Sequence, residues 1–239
     1  MSGHSKWSTI KRKKEKTDSQ RAKIFTKMGR EMAVAVREGG ADPNGNSKLR
    51  DLITKAKSLN VPNDNIERVI KKASDTDKDS YEYIRYEGYG PAGVAVIVES
   101  LTDNRNRTAG DLRHYFDKFG GNLGQNGCVS FLFQQKGLIV LENTGIDEDK
   151  LMEDCLEAGA ADFSVEEDAV EVYTEPDSMT GVRDALEAGG YVLLSADLAF
   201  IPGTNARIED SDAKIKMERL LDMLEDNDDV QNVWHNWED

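Results

Sequence analysis

Lysine and arginine crowd the first 30 residues of this chain around a single tryptophan. Eight basic residues lie between Lys6 and Arg30, and only Glu15 and Asp18 oppose them there. Side chains at this density neutralise phosphates and release counterions, and binding then loses roughly 0.7 to 0.9 log units of affinity per contact for each tenfold rise in salt. The stretch therefore predicts a nucleic-acid-binding segment.

Trp7 lies inside this basic stretch and admits two interpretations. Its flat ring offers a surface on which a nucleobase stacks, a contact worth roughly 1 to 3 kcal/mol. Alternatively, Trp7 and Ile10 pack on neighbouring helices while the charges face water, the commoner use of an aromatic side chain. We favour packing for the ring and nucleic-acid binding for the charges. The predicted binding residues are Lys6, Trp7, Lys11, Arg12, Lys13, Lys14, Arg21, Lys23 and Lys27.

Charge is divided unevenly along the chain. Residues 1–72 carry 18 Lys and Arg against 8 Asp and Glu, whereas residues 73–239 carry 13 against 37, so the net charge of -14 conceals a basic segment. Such asymmetry points to a polyanion partner for the basic part. The acidic remainder repels nucleic acid and orients the protein with its basic segment forward.

A second candidate anion site follows a predicted strand, in the sequence LTDNRNRT at 101–108. It consists of Asn104, Arg105, Asn106 and Arg107. The asparagines can cap the helix that begins here, and the arginines stand near its free N–H groups, which favour an anion. Plain capping with solvated arginines explains the pattern equally well.

Catalytic and cofactor motifs are lacking in the sequence. His4, His114 and His235 belong to different segments, and no Ser-His-Asp, Cys-His or HExxH arrangement is present. The glycine-rich stretches GYGPAG and GGNLGQNG lack the Gly-Lys-Ser/Thr of a phosphate loop. Cys128 and Cys155 are too few and too distant for a zinc site. We therefore expect a non-enzymatic protein with no cofactor, no metal and no small-molecule substrate.

Apolar spacing in the first segment is helical. A first helix begins at Asp18 and ends at Gly39-Gly40, a second includes Leu49 to Ala56, and Pro62 suits the first turn of a third. Three short helices form a bundle with a thin core, which we expect to be mobile relative to the rest of the chain.

Strand signals dominate from residue 81 onward. A hairpin, a helix at 108–119 and a strand CVSFLFQ at 128–134 come first. The segments MEDCLEAGAADF at 152–163 and VRDALEAGGYVL at 182–193 then repeat at an offset of 30 residues, which indicates a ferredoxin-like βαββαβ sandwich. The final helix and strand are expected to return to the first sheet.

The predicted fold class is therefore α+β with three domains. A basic three-helix bundle spans 1–76, a discontinuous α/β domain spans 77–135 with 205–239, and the ferredoxin-like domain at 136–204 is inserted in it. No span approaches the roughly 18 apolar residues of a transmembrane helix, and we expect a cytoplasmic protein with no membrane partner.

Several blocks of the sequence resemble the YebC/PmpR family, which includes a mitochondrial translational activator of cytochrome c oxidase. They are GHSKWSTIKRKK, IFTKMGREM, GGADPNGNSKLR, VPNDNIERVIKKA, YEGYGPAGVAVIVESLTDNRNRT, GGNLGQNGCVSFLF and, near the C-terminus, DDVQNVWHN. The resemblance implies a helical N-terminal domain, two α/β domains and no enzymatic activity.

The resemblance also implies one of two functions. Family members are described as transcriptional regulators that bind DNA, and as ribosome-associated factors that help translation past proline-rich stretches. Both functions place the contacts on the basic N-terminal residues. Gln20 and Ala22 stand where many members have lysine and glycine, so the contact near 20–23 departs from the family pattern. No helix-turn-helix with base-reading side chains is evident, which favours structured RNA, whereas the family description favours DNA.

Overall fold

The computed structural model describes the backbone of residues 18–75 and 81–238, and the side chains of residues 22–74 and 81–238. Its first part is a bundle of three helices, α1 (Asp18–Gly39), α2 (Ser47–Ser58) and α3 (Asn63–Asp75). Gly40, with φ of +86°, follows α1 in a conformation that favours glycine. Asn46 caps α2 by accepting a hydrogen bond from Leu49 N at 3.0 Å.

A four-stranded sheet follows the bundle, with strand order β3-β1-β2-β9. Its strands are β1 (Glu82–Tyr89), β2 (Ala95–Thr102), β3 (Asn122–Leu123) and β9 (Val230–His235), all paired antiparallel. Helices α4 (Arg105–Lys118) and α7 (Ser211–Asp226) cover one face of this sheet. The last helix and strand thus return to the first sheet, as predicted from the sequence.

The second sheet has strand order β5-β6-β4-β7. It consists of β4 (Phe133–Glu142), β5 (Asp162–Val165), β6 (Ala169–Thr174) and β7 (Leu193–Pro202), with α5 (Glu148–Ala158) after β4 and α6 (Met179–Ala188) after β6. All pairings are antiparallel, which is the ferredoxin-like βαββαβ arrangement. Both repeats of LEAG close a helix, at Gly159 and at Gly189-Gly190. A short parallel pair, β8 (Ala206–Arg207) with β10 (Trp237–Glu238), completes the fold.

The predicted strand at 128–134 is wrong. A short 3-10 helix occupies Ser130–Leu132, and the strand that follows, β4, begins at Phe133 and belongs to the second sheet. Its pairing with β7 extends back to Phe133 opposite Pro202. The third strand of the first sheet is instead the short β3, so β4 crosses the expected domain limit at 135/136, and the domain limits remain a prediction.

The bundle packs against both sheets through a shared core, a contact that the sequence did not predict, and its mobility relative to the sheets remains a prediction. In β2, Val96 and Val98 face α4 and α7, whereas Ile97 joins a core that includes Met28 and Leu49 of the bundle. The second sheet also has two buried faces, because alternate residues of β4 belong to this shared core and to the core under α5 and α6. One central core therefore joins the helices to the backs of both sheets.

Within the part of the chain that is described, no helix combines the length and the apolar character required to cross a bilayer.

Candidate nucleic-acid interface

The predicted binding residues divide into two groups. Lys6, Trp7, Lys11, Arg12, Lys13 and Lys14 lie outside the described residues. Arg21 belongs to the first turn of α1, without a described side chain, and Lys23 and Lys27 follow at one-turn spacing on the same helix. Of the predicted residues, Lys23 and Lys27 are therefore the two whose side-chain contacts are described.

Lys23 and Lys27 contact the C-terminal end of α7. The Lys23 ammonium donates to Asp226 Oδ2 at 2.6 Å and to the Asp226 carbonyl at 3.2 Å, and Lys27 donates to the Glu225 carbonyl at 2.5 Å. Carbonyls at a helix C-terminus carry partial negative charge and favour cations. The hydrogen bond that Lys23 donates to Asp226, acting against burial, raises the pKa of Lys23. These two lysines therefore join α1 to α7, and their role toward nucleic acid remains a prediction.

Asp229 is the centre of the next contact along this interface. One carboxylate oxygen accepts from Arg30 at 2.8 Å, and the other accepts from Arg107 at 2.7 Å and from the Thr108 hydroxyl at 2.8 Å. Asp229 is only 3% exposed. Burial alone would raise the pKa of this carboxyl, but the hydrogen bonds from Arg107, Thr108 and Arg30 hold the pKa below its usual range. Asp229 thus links the bundle to the N-terminus of α4.

The second candidate anion site lies at this helix N-terminus. Asn104 caps α4 by accepting from the Arg107 N–H at 3.1 Å, and Arg105 pairs with Glu82 at 2.8 Å. Asn106 is exposed. Because Arg107 contacts Asp229 and also Asp103, at 2.8 Å, the protein supplies its own anions to both arginines. Binding of an external anion to these four residues remains a prediction.

Three further ion pairs join the bundle to the second sheet and to its helix α6, and sequence reasoning missed all three. Lys55 of α2, 8% exposed, pairs with Asp197 of β7 at 3.0 Å. Burial would lower the pKa of Lys55, but the charges of Asp197 and Glu31 raise it. A usable signal existed, because Lys55 interrupts the apolar face of α2 beside Ala56 and Leu52.

Arg183 of α6 is 1% exposed and pairs with Asp51 of α2 and with its own neighbour Asp184, the latter at 2.7 Å. Burial raises the pKa of Asp51 to about 6, against the opposing effect of Arg183. Arg50 also reaches Asp184 at 2.8 Å. Ion pairs therefore connect α2 to β7 and to α6.

Helix α3 carries a different set of basic residues, which we call the α3 basic face: Arg68, Lys71 and Lys72. Spacings of three and four residues put these side chains on one side of the helix, and all three are exposed. Arg68 donates to the Asn65 side-chain oxygen. Among the described side chains, none of the three has a carboxylate at salt-bridge distance, so their charge is directed to solvent.

The chemistry available elsewhere is limited. Across residues 18–75 and 81–238, no three His, Cys, Asp or Glu side chains are grouped so that they could hold a metal ion. Cys155 is buried, and burial raises the pKa of its thiol to about 11, while Cys128 is half-buried. Both are free thiols.

Two family models together match nearly the whole chain. The model of the TACO1/YebC N-terminal domain matches residues 5–76, and the model of the TACO1/YebC second and third domains matches residues 81–237. The chain belongs to the TACO1/YebC family. This confirms the family that the sequence blocks resemble.

Relatives of this TACO1/YebC chain match over more than nine tenths of their own lengths. A probable transcriptional regulatory protein of Finegoldia magna is 57% identical over 239 residues, covering 100% of this chain and 99% of the relative. One of the same description from Ruminiclostridium cellulolyticum is 58% identical over 240 residues, covering 100% and 97%. The crystal structure of a conserved hypothetical protein from Aquifex aeolicus superimposes with a TM-score of 0.84 at 43% identity, over 93% of this chain and 92% of that one. The α+β architecture is thus shared with an experimental structure.

Proposed function

We propose that this TACO1/YebC chain is a non-enzymatic, cytoplasmic regulator of gene expression that binds nucleic acid, in the first place DNA, through its basic N-terminal domain. The observation that carries the proposal is the division of basic side chains within the bundle. Those that contact the rest of the chain are paired with acidic partners, as Lys23, Arg30 and Lys55 are. The α3 basic face has no such partner among the described side chains and remains available for phosphates.

The place of α3 in the bundle also supports DNA. Helices α2 and α3 are joined by the four residues 59–62, a length typical of helix-turn-helix units. Asn60 adopts a φ of +59° within this connection. The relatives described as transcriptional regulatory proteins point to the same partner.

Removal of two charges from the α3 basic face tests this proposal. In the Lys71→Ala/Lys72→Ala variant, two phosphate contacts are lost, so the slope of log affinity for duplex DNA against log salt is expected to become shallower by about 1.8, at about 0.9 per contact. The measurement is fluorescence anisotropy with a labelled 30-base-pair duplex (length on the order of a large operator) at several salt concentrations.

The matched control removes two lysines from the acidic part of the chain. Lys150→Ala/Lys216→Ala changes the net charge equally, at exposed positions paired with Asp154 and Asp212, and is expected to leave the slope unchanged. An equal change of slope in both variants would show that overall charge, rather than the α3 basic face, determines binding.

A ribosome-associated function in translation is the second candidate. Exposed Asp64 and Glu67 lie in the first turns of α3, where a recognition helix would meet base edges, and carboxylates there disfavour entry into a DNA groove. This favours phosphate contact with structured RNA. Under this alternative, the wild-type chain co-sediments with ribosomes in a sucrose gradient and Lys13→Glu/Lys14→Glu abolishes this. A wild-type chain wholly at the top of the gradient would contradict it.

A further inference from the structure

The loop between β3 and β4 is free of charge in a highly charged protein. Charged residues make up 32% of the chain, yet residues 119–135 form a run of 17 without a single Asp, Glu, Lys or Arg, the longest in the sequence. The surrounding acidic part of the chain repels polyanions. Within this acidic part, the loop therefore offers a nucleic acid a surface that carries no carboxylate of its own.

Phe131 projects from this loop into solvent. At 74% exposure it is the most exposed large apolar side chain of the described residues. Val129 and Phe133, two positions to either side of Phe131, are buried in the central core that also includes residues of the bundle, and they anchor the loop there. Phe131 therefore stands out from a segment that is otherwise anchored.

A buried carboxylate holds the loop in shape. Glu87 of β1 is fully buried, and its Oε2 accepts from the backbone N–H groups of Val129 at 3.0 Å and Ser130 at 2.9 Å. Its carbonyl accepts from Gly124 N at 2.8 Å, so both ends of the loop are tied to one residue. Tyr89 donates to the Cys128 carbonyl at 3.0 Å. The two backbone donors to Oε2 offset part of the cost of burying this carboxylate, and Arg85 Nε lies 3.5 Å from its Oε1. These contacts pre-organise the loop that carries Phe131.

The remaining loop surface is made of amides and backbone. Gln125 and Asn126 are exposed, and Gly127 follows with a φ of +91°. Gly124 lies so close to its neighbour that an added Cβ would be 2.5 Å from Cys128 Sγ. Amide side chains and exposed backbone supply both donors and acceptors, the groups that read the edges of unpaired bases.

From these observations, and resting on the proposed nucleic-acid-binding function, we propose that Phe131 with Gln125 and Asn126 forms a binding site for one unpaired nucleobase, stacked on the phenyl ring. A single ring among amides and glycines is too small for a stable protein interface, which buries about 800 Å² on each partner. One aromatic face matches the area of one base, and stacking on it requires no charge.

The test compares single-stranded with duplex probes on the full chain. Phe131→Ala is expected to weaken binding of a labelled 12-nucleotide single strand about fivefold or more, the equivalent of one lost stacking contact, and to leave binding of the matching duplex within about twofold. Phe131→Tyr retains the ring and is expected to bind like wild type. Leu156→Ala, at a position 71% exposed on α5, is the matched control and should change neither affinity.

Probes of RNA and of DNA separate the two sources of an unpaired base. Loss on both single strands supports recognition of the base alone, and loss on RNA only supports a base held together with its 2′-hydroxyl. Unchanged single-strand binding in Phe131→Ala would overturn the site, and an equal loss on duplex and single strand would also overturn it. If the wild-type chain binds none of the probes, the proposed function itself fails and the site with it.

Discussion

Replacing Asp229 by alanine is expected to lower the free energy of unfolding by about 3 kcal/mol. The substitution leaves Arg30 and Arg107 without the carboxylate that both contact, at 2.8 and 2.7 Å. We expect the lower end of the range for a broken buried pair, because the Arg107 side chain is 44% exposed and water can reach it. Urea unfolding at neutral pH measures the loss.

At low pH, the difference in free energy of unfolding between wild type and Asp229→Ala is expected to disappear. The folded-state pKa of Asp229 is lowered, so its contribution to stability is present above the unfolded pKa of about 3.9 and is lost as the pH falls through the folded value. Asp226→Ala, which breaks an exposed pair with Lys23, is the control and should cost at most about 1 kcal/mol. A difference that persists unchanged well below pH 3 (about one unit under the unfolded pKa) would contradict the assignment.

Replacing Lys55 by alanine is expected to destabilise the protein by about 3 to 5 kcal/mol. The change leaves Asp197, whose side chain is 20% exposed, without the ammonium group 3.0 Å away, and it opens space between α2 and β7. Thermal and urea unfolding of the full chain measure the effect.

Lys48 of the same helix supplies the matched control. It pairs with Glu38 at the surface, where the side chains are 48% and 56% exposed, so Lys48→Ala should cost at most about 1 kcal/mol. Equal effects of the two substitutions would mean that the Lys55 pair adds nothing specific to the contact between the bundle and the second sheet.

Periodic and repeated parts of the fold could be predicted from the sequence. The apolar spacing from Asp18 gives α1, and the repeat of LEAG at an offset of 30 residues gives the two strand-helix-strand units of the second sheet. Both signals are local, because a helix period or a glycine at a helix end is decided within a few residues. The predicted strand at 128–134 failed because the bonds that Glu87 makes to Val129 and Ser130 override local β-propensity.

The docking of the bundle was foreseeable in part. Strands with one solvated face alternate apolar and polar residues, whereas AVIV in β2 and LIVL in β4 are continuous, the pattern of strands buried on both faces. This pattern implies that another element covers the second face of each sheet, and the bundle is that element. The pairing of Lys23 with Asp226 joins residues 203 positions apart, and no local pattern reports such a contact.

The salt dependence of duplex DNA binding by the wild-type chain tests the central claim most directly. If the basic N-terminal domain binds phosphates, log affinity falls linearly with log salt, and the three contacts of the α3 basic face alone give a slope of about -2.7. Binding that is absent at low salt, or that does not change between about 50 and 200 mM salt, would contradict the account.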